Sequence, residues 1–427
     1  MTEDFLQYIW RYGLFNKESL TTTGNEKIEI LSLGELNTNA GPDFFNAKIK
    51  IDDTTWAGNV EIHLNASDWL LHQHQKDKAY NNVILHVVYN ADQQILRQNK
   101  TIVPCLELKF DHRLFDNYAE LQKNNSPIAC NKEIKQVDTF VIEHWLNSLM
   151  VERLENKSQS ISDILLQNKN NWEETFYRIL SRNFGFNLNA EPFEILARSL
   201  PLNYLAKHKN NILQIEALLF GQAGFLAEPL DDEYYQKLQK EYIFLKQKFN
   251  LIEGEKHLWK FLRLRPSNFP TIRIAQFAKL IHQSSGLFSK ILETNNIEEL
   301  YQFFDVSASS YWNEHFVFGK TSKKSNKNLG KTAADTILIN TIIPFLFLYG
   351  KNKDQQDLMD KALGFLDKIK AENNAIINQW KGLNMNITSA FYSQAYIQLR
   401  KNYCNTKKCL HCMIGNKIIV NDKTRLI

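Results

Sequence analysis

The sequence predicts an α+β fold, and three observations carry that reading. Apolar residues fall at every second position in two neighbouring stretches, Ala47–Ile51 and Asn59–Leu64, which is the period of half-buried strands. From Val137 onward a series of stretches repeats apolar residues at the 3.6-residue period of helices, and strand-like alternation becomes rare. The change falls at Ser126-Pro127, among Asn and Ser residues suited to a linker. The expected organisation is an α/β domain over residues 1–125, a mostly helical domain over 126–400 and a Cys-rich segment over 401–427.

Taken in order, Phe5, Ile9, Trp10 and Tyr12 form a helical stripe, so a short helix opens the chain. A strand follows at Lys27–Leu33, and the Gly-, Asn- and Pro-rich run Gly34–Pro42 reads as a loop. The two alternating strands come next, joined by a turn at Asp52-Asp53. Ser67-Asp68 supplies capping oxygens for a helix from Trp69 to Tyr80. Val83–Val88 is a continuous apolar strand, Ile95 and Thr101–Leu108 read as added strands, and Asp111–Leu121 reads as a helix. The order is therefore helix, three strands, helix, strand. The later helices are expected at Val137–Asn168, Trp172–Asn183, Leu213–Phe225, Glu233–Phe249, Ile272–Ser284, Ile297–Phe304, Ala333–Leu348, Gln355–Ala371 and Thr388–Tyr403. No period of about 20 to 50 residues recurs, which argues against a solenoid.

With 427 residues the chain is long enough to bury well-formed cores in two or three domains. Hydrophobic residues make up 44% and charged residues 23%, and no 18-residue uncharged apolar run is present to span a bilayer. The opening MTEDFLQYIWRYGLF has acids where an export signal needs a basic stretch, so a reducing cytoplasm is the expected compartment, with no membrane partner. A net charge of +4 does not by itself announce a nucleic-acid binder.

Chemistry concentrates between Gly41 and Val88. On the strand Asn59–Leu64, Val60, Ile62 and Leu64 share one face, while Glu61 and His63 share the other, about 7 Å apart along the strand. Asp43 stands just before the preceding strand, so Asp43, Glu61 and His63 can converge on one metal ion. Two carboxylates suffice to hold Mg²⁺ or Mn²⁺, and His63 is placed to orient water or accept its proton. An imidazole also opens the site to Mn²⁺ or Zn²⁺. His72 and His74, two apart on the expected helix, would point about 200° apart and cannot both meet one metal; local pairing with Asp68 and Asp77 respectively is the expectation for each, and the alternative is that one of them faces the site and joins Glu61 and His63 in a zinc hydrolase. His86 interrupts an apolar strand and reads as a buried, hydrogen-bonded core histidine.

The element order, with Pro42-Asp43 one hairpin before Glu61-x-His63, resembles the core of the PD-(D/E)XK nuclease superfamily. That resemblance implies a restriction-endonuclease-like αβββαβ fold, metal-dependent phosphodiester hydrolysis, and nucleic acid, DNA rather than RNA, as partner. Asp43 and Glu61 would be the metal ligands, and Glu35 the additional acid that many such nucleases recruit. His63 stands where the pattern has Lys, and Lys48 and Lys50 are the available replacements for its charge. The alternative is a nuclease-fold protein that binds nucleic acid, or acts as a scaffold, without turnover. The wording GPDF, VEIH, SDW and ILHVV also resembles an uncharacterised bacterial family that brings no activity with it.

Cys404-x₄-Cys409-x₂-Cys412 has the spacing of metal ligands, which in a reducing compartment suits a structural Zn²⁺ or an iron–sulfur cluster. Cys130 is the first choice for a fourth ligand, ahead of His411 and Cys105. Two further signals are basic. Lys320, Lys323, Lys324, Lys327 and Lys331 fall in an acid-free run, and Arg400–Ile427 is also rich in Lys and Arg. Within the first, Ser325–Thr332 is one glycine short of a phosphate-binding loop. Arg265 and Arg273 flank a Pro-bounded loop and are expected either to contact phosphate or to form inter-helix ion pairs.

Overall fold

The computed structural model describes residues 1–420, so the last part of the basic C-terminal run, residues 421–427, lies outside the described residues. The chain divides into two compact units. One comprises residues 1–145 together with the chain from Leu399 on, and the other comprises Leu146–Gln398.

In the first unit, α1 (Glu3–Arg11) is capped by Thr2, whose hydroxyl accepts from the Phe5 amide, and carries Glu3 and Asp4 in its first turn. Acids there complement the partial positive charge of the helix start. The strands are β1 (Ile28–Ser32), β2 (Glu35–Leu36), β3 (Phe44–Ile51), β4 (Thr54–Asn65), β5 (Val83–Asn90) and β6 (Cys105–Glu107). They form one mixed sheet in the order β1-β3-β4-β5-β6, with β2 paired to β3. The first three strands on that path run antiparallel, whereas β4, β5 and β6 run parallel. A parallel step needs a crossover. That crossover is α2 (Asp68–Leu71) followed by two short 3-10 turns, His74–Lys76 and Lys78–Asn82, in place of the single helix expected over Trp69–Tyr80. Of the strand expected at Thr101–Leu108, only β6 and a bridge between Leu96 and Ile102 form.

Both faces of the sheet are covered. Phe5, Ile9, Trp10, Phe44, Ile49, Val60, Ile62, Leu85 and Val87 pack on one side, joined by Leu114 and Leu121 of α3 (His112–Lys123). Trp69, Tyr80, Val83, Val88, Ile95 and Val103 close the other. Each fully buried large side chain contributes about 1.5–3 kcal/mol of transfer free energy. The C-terminal cysteine segment is part of this unit. Leu410 and Ile419 join the first cluster, and Asn117 and Gln122 of α3 donate to the carbonyls of Ile419 and Lys407 at 3.0 and 2.9 Å.

The second unit is mostly helical, as expected. Continuing from α4 (Thr139–Gln167) it contains α5 (Trp172–Phe184), α6 (Ala190–Ser199), α7 (Leu202–Lys207), α8 (Ile212–Gln222), α9 (Glu233–Phe249), α10 (Pro270–Gln283), α11 (Leu287–Glu293) and α12 (Ile297–Phe303). A small hairpin, β7 (His315–Val317) and β8 (Lys320–Thr321), precedes α13 (Lys331–Ile337), a π-helical turn and α14 (Ile343–Asn352). These last three run as one helix of 22 residues, long and apolar enough to cross a membrane; most of its apolar stretch is buried within the unit, the position of a core helix. α15 (Gln356–Lys368), α16 (Ala375–Gly382) and α17 (Ala390–Gln398) complete the unit. In the first unit, α18 (Met413–Ile419) follows the cysteines. The helix α6, absent from the periodicity reading, carries Pro192 at its third position, where a missing N–H costs no helical hydrogen bond.

Candidate metal centre

Asp43 and Glu61 are brought together by the backbone as well as by their side chains. The Asp43 amide donates to Glu61 Oε2 at 3.1 Å, and Asp43 Oδ2 accepts from the Ile62 amide at 3.0 Å. The crossed pair ties the start of β3 to the middle of β4 just before the β3/β4 register shifts at Asn46, whose φ is +57°. Extra residues in one strand re-aim its side chains, and here the shift lets the Asp43 carboxylate reach β4.

Glu61 and His63 share a face of β4, but that face is not open to solvent: the two are 5% and 1% exposed. Glu61 lies opposite His86 of β5 in parallel register, and His86 is itself fully buried. His63 Nδ1 lies 2.8 Å from His86 Nε2, while His63 Nε2 lies 3.1 Å from His72 Nδ1 and 3.5 Å from Glu61 Oε1. His74 Nε2 is 3.3 Å from the same Glu61 oxygen and makes no hydrogen bond. The ligating nitrogens of His63, His72 and His74 all lie within 4.8 Å of one another.

The expectation that His72 and His74 diverge is therefore corrected. α2 ends at Leu71 with His72 as its C-cap, and Gln73 adopts φ 61°, ψ 27°, a left-handed conformation that breaks the helix before the 3-10 turn begins at His74. One left-handed residue replaces the helical rotation, and both imidazoles turn toward His63. Their assigned acids are engaged elsewhere: Asp68 accepts from the Asn65 amide and Asp77 from the Ala79 amide. Aromatic rings hold the histidines, His74 stacking on Tyr80 at 3.8 Å and Trp69 packing against His86 at 5.3 Å. His72 is exposed, so the cluster opens to solvent on that side.

Burial pushes the carboxyls of Asp43 and Glu61 well above the usual carboxylate range; Glu61 and Glu3 add repulsion at Asp43, Glu3 adds it at Glu61, and the two amide hydrogen bonds oppose it. Burial, followed by the neighbouring imidazoles, pushes His63 down to about 2, and burial with His74 takes His86 to about 4. Neutral imidazoles beside two acids that repel each other form a donor set of nitrogens and oxygens suited to a divalent cation.

The other expected participants fall differently. Glu35 lies in β2, exposed and opposite Phe45, and the acid that reaches the cluster is instead Glu3 of α1, with Oε1 3.8 Å from His63 Nε2. Glu3 carried a readable signal, an acid in the first turn of the opening helix, but nothing local linked it to residue 63. Lys48 and Lys50 alternate with the buried Ala47, Ile49 and Ile51, and neither is among the charges that perturb Asp43, Glu61 or His63.

Cys130 lies within electrostatic range of the C-terminal cysteines. Burial raises its thiol well above the ordinary value, with Cys404, Cys412 and Cys409 adding to the shift. Cys404 and Cys409 are pushed up to about 12 and about 11, by burial first and in part by their cysteine neighbours. Cys105 lies apart, buried against Val83 and Val103 in the second cluster of the sheet. His411 is not among the groups that act on these thiols.

The family described as protein of unknown function (DUF2851) matches residues 3–375. The chain belongs to that family. The matched span includes Asp43, Glu61, all four clustered histidines and Cys130, and stops before Cys404, Cys409 and Cys412. No curated protein and no solved structure matches the chain significantly.

Proposed function

We propose that this protein is a metal-dependent phosphodiesterase, a nuclease acting on DNA, with its centre at Asp43, Glu61 and the histidine cluster. The observation that carries the reading is the cluster around Glu61, whose Oε1 lies 3.5 Å from His63 and 3.3 Å from His74, with His72 beside His63 and Asp43 hydrogen-bonded to Glu61 and to the Ile62 amide. The PD-(D/E)XK resemblance of the sequence, which makes Asp43 and Glu61 the metal ligands, points to the same chemistry. Asp43 and Glu61 would hold Mg²⁺ or Mn²⁺, and the imidazoles tilt the donor set toward Mn²⁺ or Zn²⁺. A cation bound there supplies charge neutralisation at the phosphoryl oxygens and an acidified water. His86 orients His63 through their ring contact, which leaves His63 Nε2 facing Glu61, with Glu3 Oε1 3.8 Å from the same nitrogen. His72, at the exposed edge, is the group best placed to pass a proton to solvent.

The test is DNA degradation by the purified chain with Mg²⁺, Mn²⁺ or Zn²⁺ added. Asp43→Asn and Glu61→Gln should each abolish it; turnover surviving both substitutions rejects the proposal. One observation favours a second reading. The charges acting on Asp43 and Glu61 include no lysine, and a protein of this fold that binds nucleic acid without cleaving it would lack that group. Salt-sensitive DNA binding without turnover under any of the three metals would select that reading. We also infer that Cys130, Cys404, Cys409 and Cys412 hold a structural Zn²⁺ or iron–sulfur cluster, which would tie the C-terminal segment to the loop after α3.

A further inference from the structure

The second unit contains a cleft of about 690 Å³ between the α5–α6 loop, the segment leading into α10 and the start of α13. Three of its lining residues are cationic, Arg265, Arg273 and Lys331, and none is acidic. Arg273 is 6% exposed. Its Nη groups donate to neutral amides, Gln276 Oε1 at 2.8 Å and Asn268 Oδ1 at 2.6 Å, its Nε has no partner, and its guanidinium lies 4.6 Å from the centre of the Phe186 ring. The expected inter-helix ion pair is not formed among the described residues, and burial alone accounts for the depressed basicity of this side chain. A buried cation normally has a counter-charge, because taking it out of water costs several kcal/mol. Among the described residues no carboxylate supplies it, which leaves a place for an external anion.

The start of the 22-residue helix faces the same cleft. Gly330, at φ 78°, accepts from the Ala333 and Ala334 amides, while the amides of Lys331 and Thr332 stay free at the cleft wall. This is the end of the run one glycine short of a phosphate-binding loop. No strand feeds it, and Lys327 turns back onto Ser325 and Asn313, so phosphoryl transfer to or from ATP does not follow from it. What remains is a set of free amides and a hydroxyl placed to hold oxygen anions. Neutral polar residues such as Asn187 and Ser267 share the rest of the lining with apolar Phe186 and Leu188, and the cleft's volume falls in the range of pockets for small organic ligands, about 300–1,000 Å³.

We propose that this cleft binds a nucleotide through its terminal phosphate, with Arg273, the Gly330–Thr332 backbone and the Lys331 ammonium, which lies over the Tyr301 ring at 4.8 Å in the free protein, on the phosphate and Phe186 against the organic body. The inference does not rest on the metal centre, whose residues all belong to the other unit.

The test is equilibrium binding to the full-length protein, without added divalent metal, of a nucleoside, its 5′-monophosphate and diphosphate, inorganic phosphate, and a 5′-phosphorylated oligonucleotide. The nucleotides should bind, the nucleoside at least about tenfold more weakly, and Lys331→Gln and Arg273→Gln should each weaken nucleotide binding by about tenfold or more. Because Arg273→Gln alters a buried position, Lys331→Gln and Arg265→Gln, both exposed, are read alongside it. Equal affinity for nucleoside and nucleotide, binding unchanged in all three variants, or binding of the oligonucleotide alone would overturn the proposal.

Discussion

His72 and His74 point at the same side chain, His63, although they are only two residues apart, because Gln73 between them is left-handed at φ 61°. A left-handed residue with a Cβ costs roughly 1–2 kcal/mol, and the loss of that strain is open to test. Gln73→Gly is expected to leave stability unchanged or raised by up to about 1 kcal/mol and to keep metal uptake intact. Gln73→Val should destabilise by more than about 1 kcal/mol and lower metal content, since a β-branched residue disfavours positive φ. Urea unfolding together with elemental analysis of both variants separates the outcomes.

The same feature marks the limit of what the sequence reveals. Alternation at Ala47, Ile49 and Ile51 and at Val60 and Ile62 shows the central strands, and it correctly puts Glu61 and His63 on a common face. Alternation cannot tell that this face is buried, because the cover comes from Trp69 and Tyr80, whose crossover the capping residues Ser67-Asp68 suggest is one helix. Glu3 reaches the cluster across 60 residues, and the crossed Asp43–Glu61 hydrogen bonds involve backbone amides, so neither leaves a local pattern. Cys130 is singled out by counting ligands rather than by any local pattern, since a three-thiol set lacks one.

Asp43 and Glu61 predict opposite effects of one substitution with and without metal. In chelator-treated protein near pH 8, Glu61→Gln should raise Tm, because it removes a buried acid whose charged form is disfavoured by burial while its oxygen still accepts from the Asp43 amide. With excess Mn²⁺ or Zn²⁺ the order should reverse, since a ligand that binds only the folded state stabilises it by mass action and the variant loses that gain. Thermal melting of both proteins under the two conditions checks the crossing; a variant that gains Tm equally with and without metal would show that the acid pair holds no cation.

Buried cysteines differ in what their loss should cost. Cys105→Ser places a hydroxyl in an apolar cluster and is expected to cost about 1–3 kcal/mol while leaving metal content unchanged. Cys130→Ser should remove a metal equivalent and loosen the C-terminal segment, with Leu410 and Ile419, from the first core cluster. Elemental analysis, visible absorption and limited proteolysis of the two variants distinguish a bound metal from packing alone.

Glu216 gives the second unit a pH dependence of its own. It is fully buried in α8, its Oε2 accepts from the Tyr234 hydroxyl, and burial raises its carboxyl from 4.5 to about 7. The folded state therefore holds the proton more tightly than the unfolded chain. Stability from this group is full below pH 4.5 and is lost as pH rises through about 7. At 1.36 kcal/mol per unit the loss is on the order of 3 kcal/mol. Glu216→Gln keeps an acceptor for Tyr234 and removes the titration, so the variant should match wild type near pH 4.5 and exceed it at pH 8. Urea midpoints across that range measure the divergence, and parallel curves for the two proteins would place the pH response elsewhere.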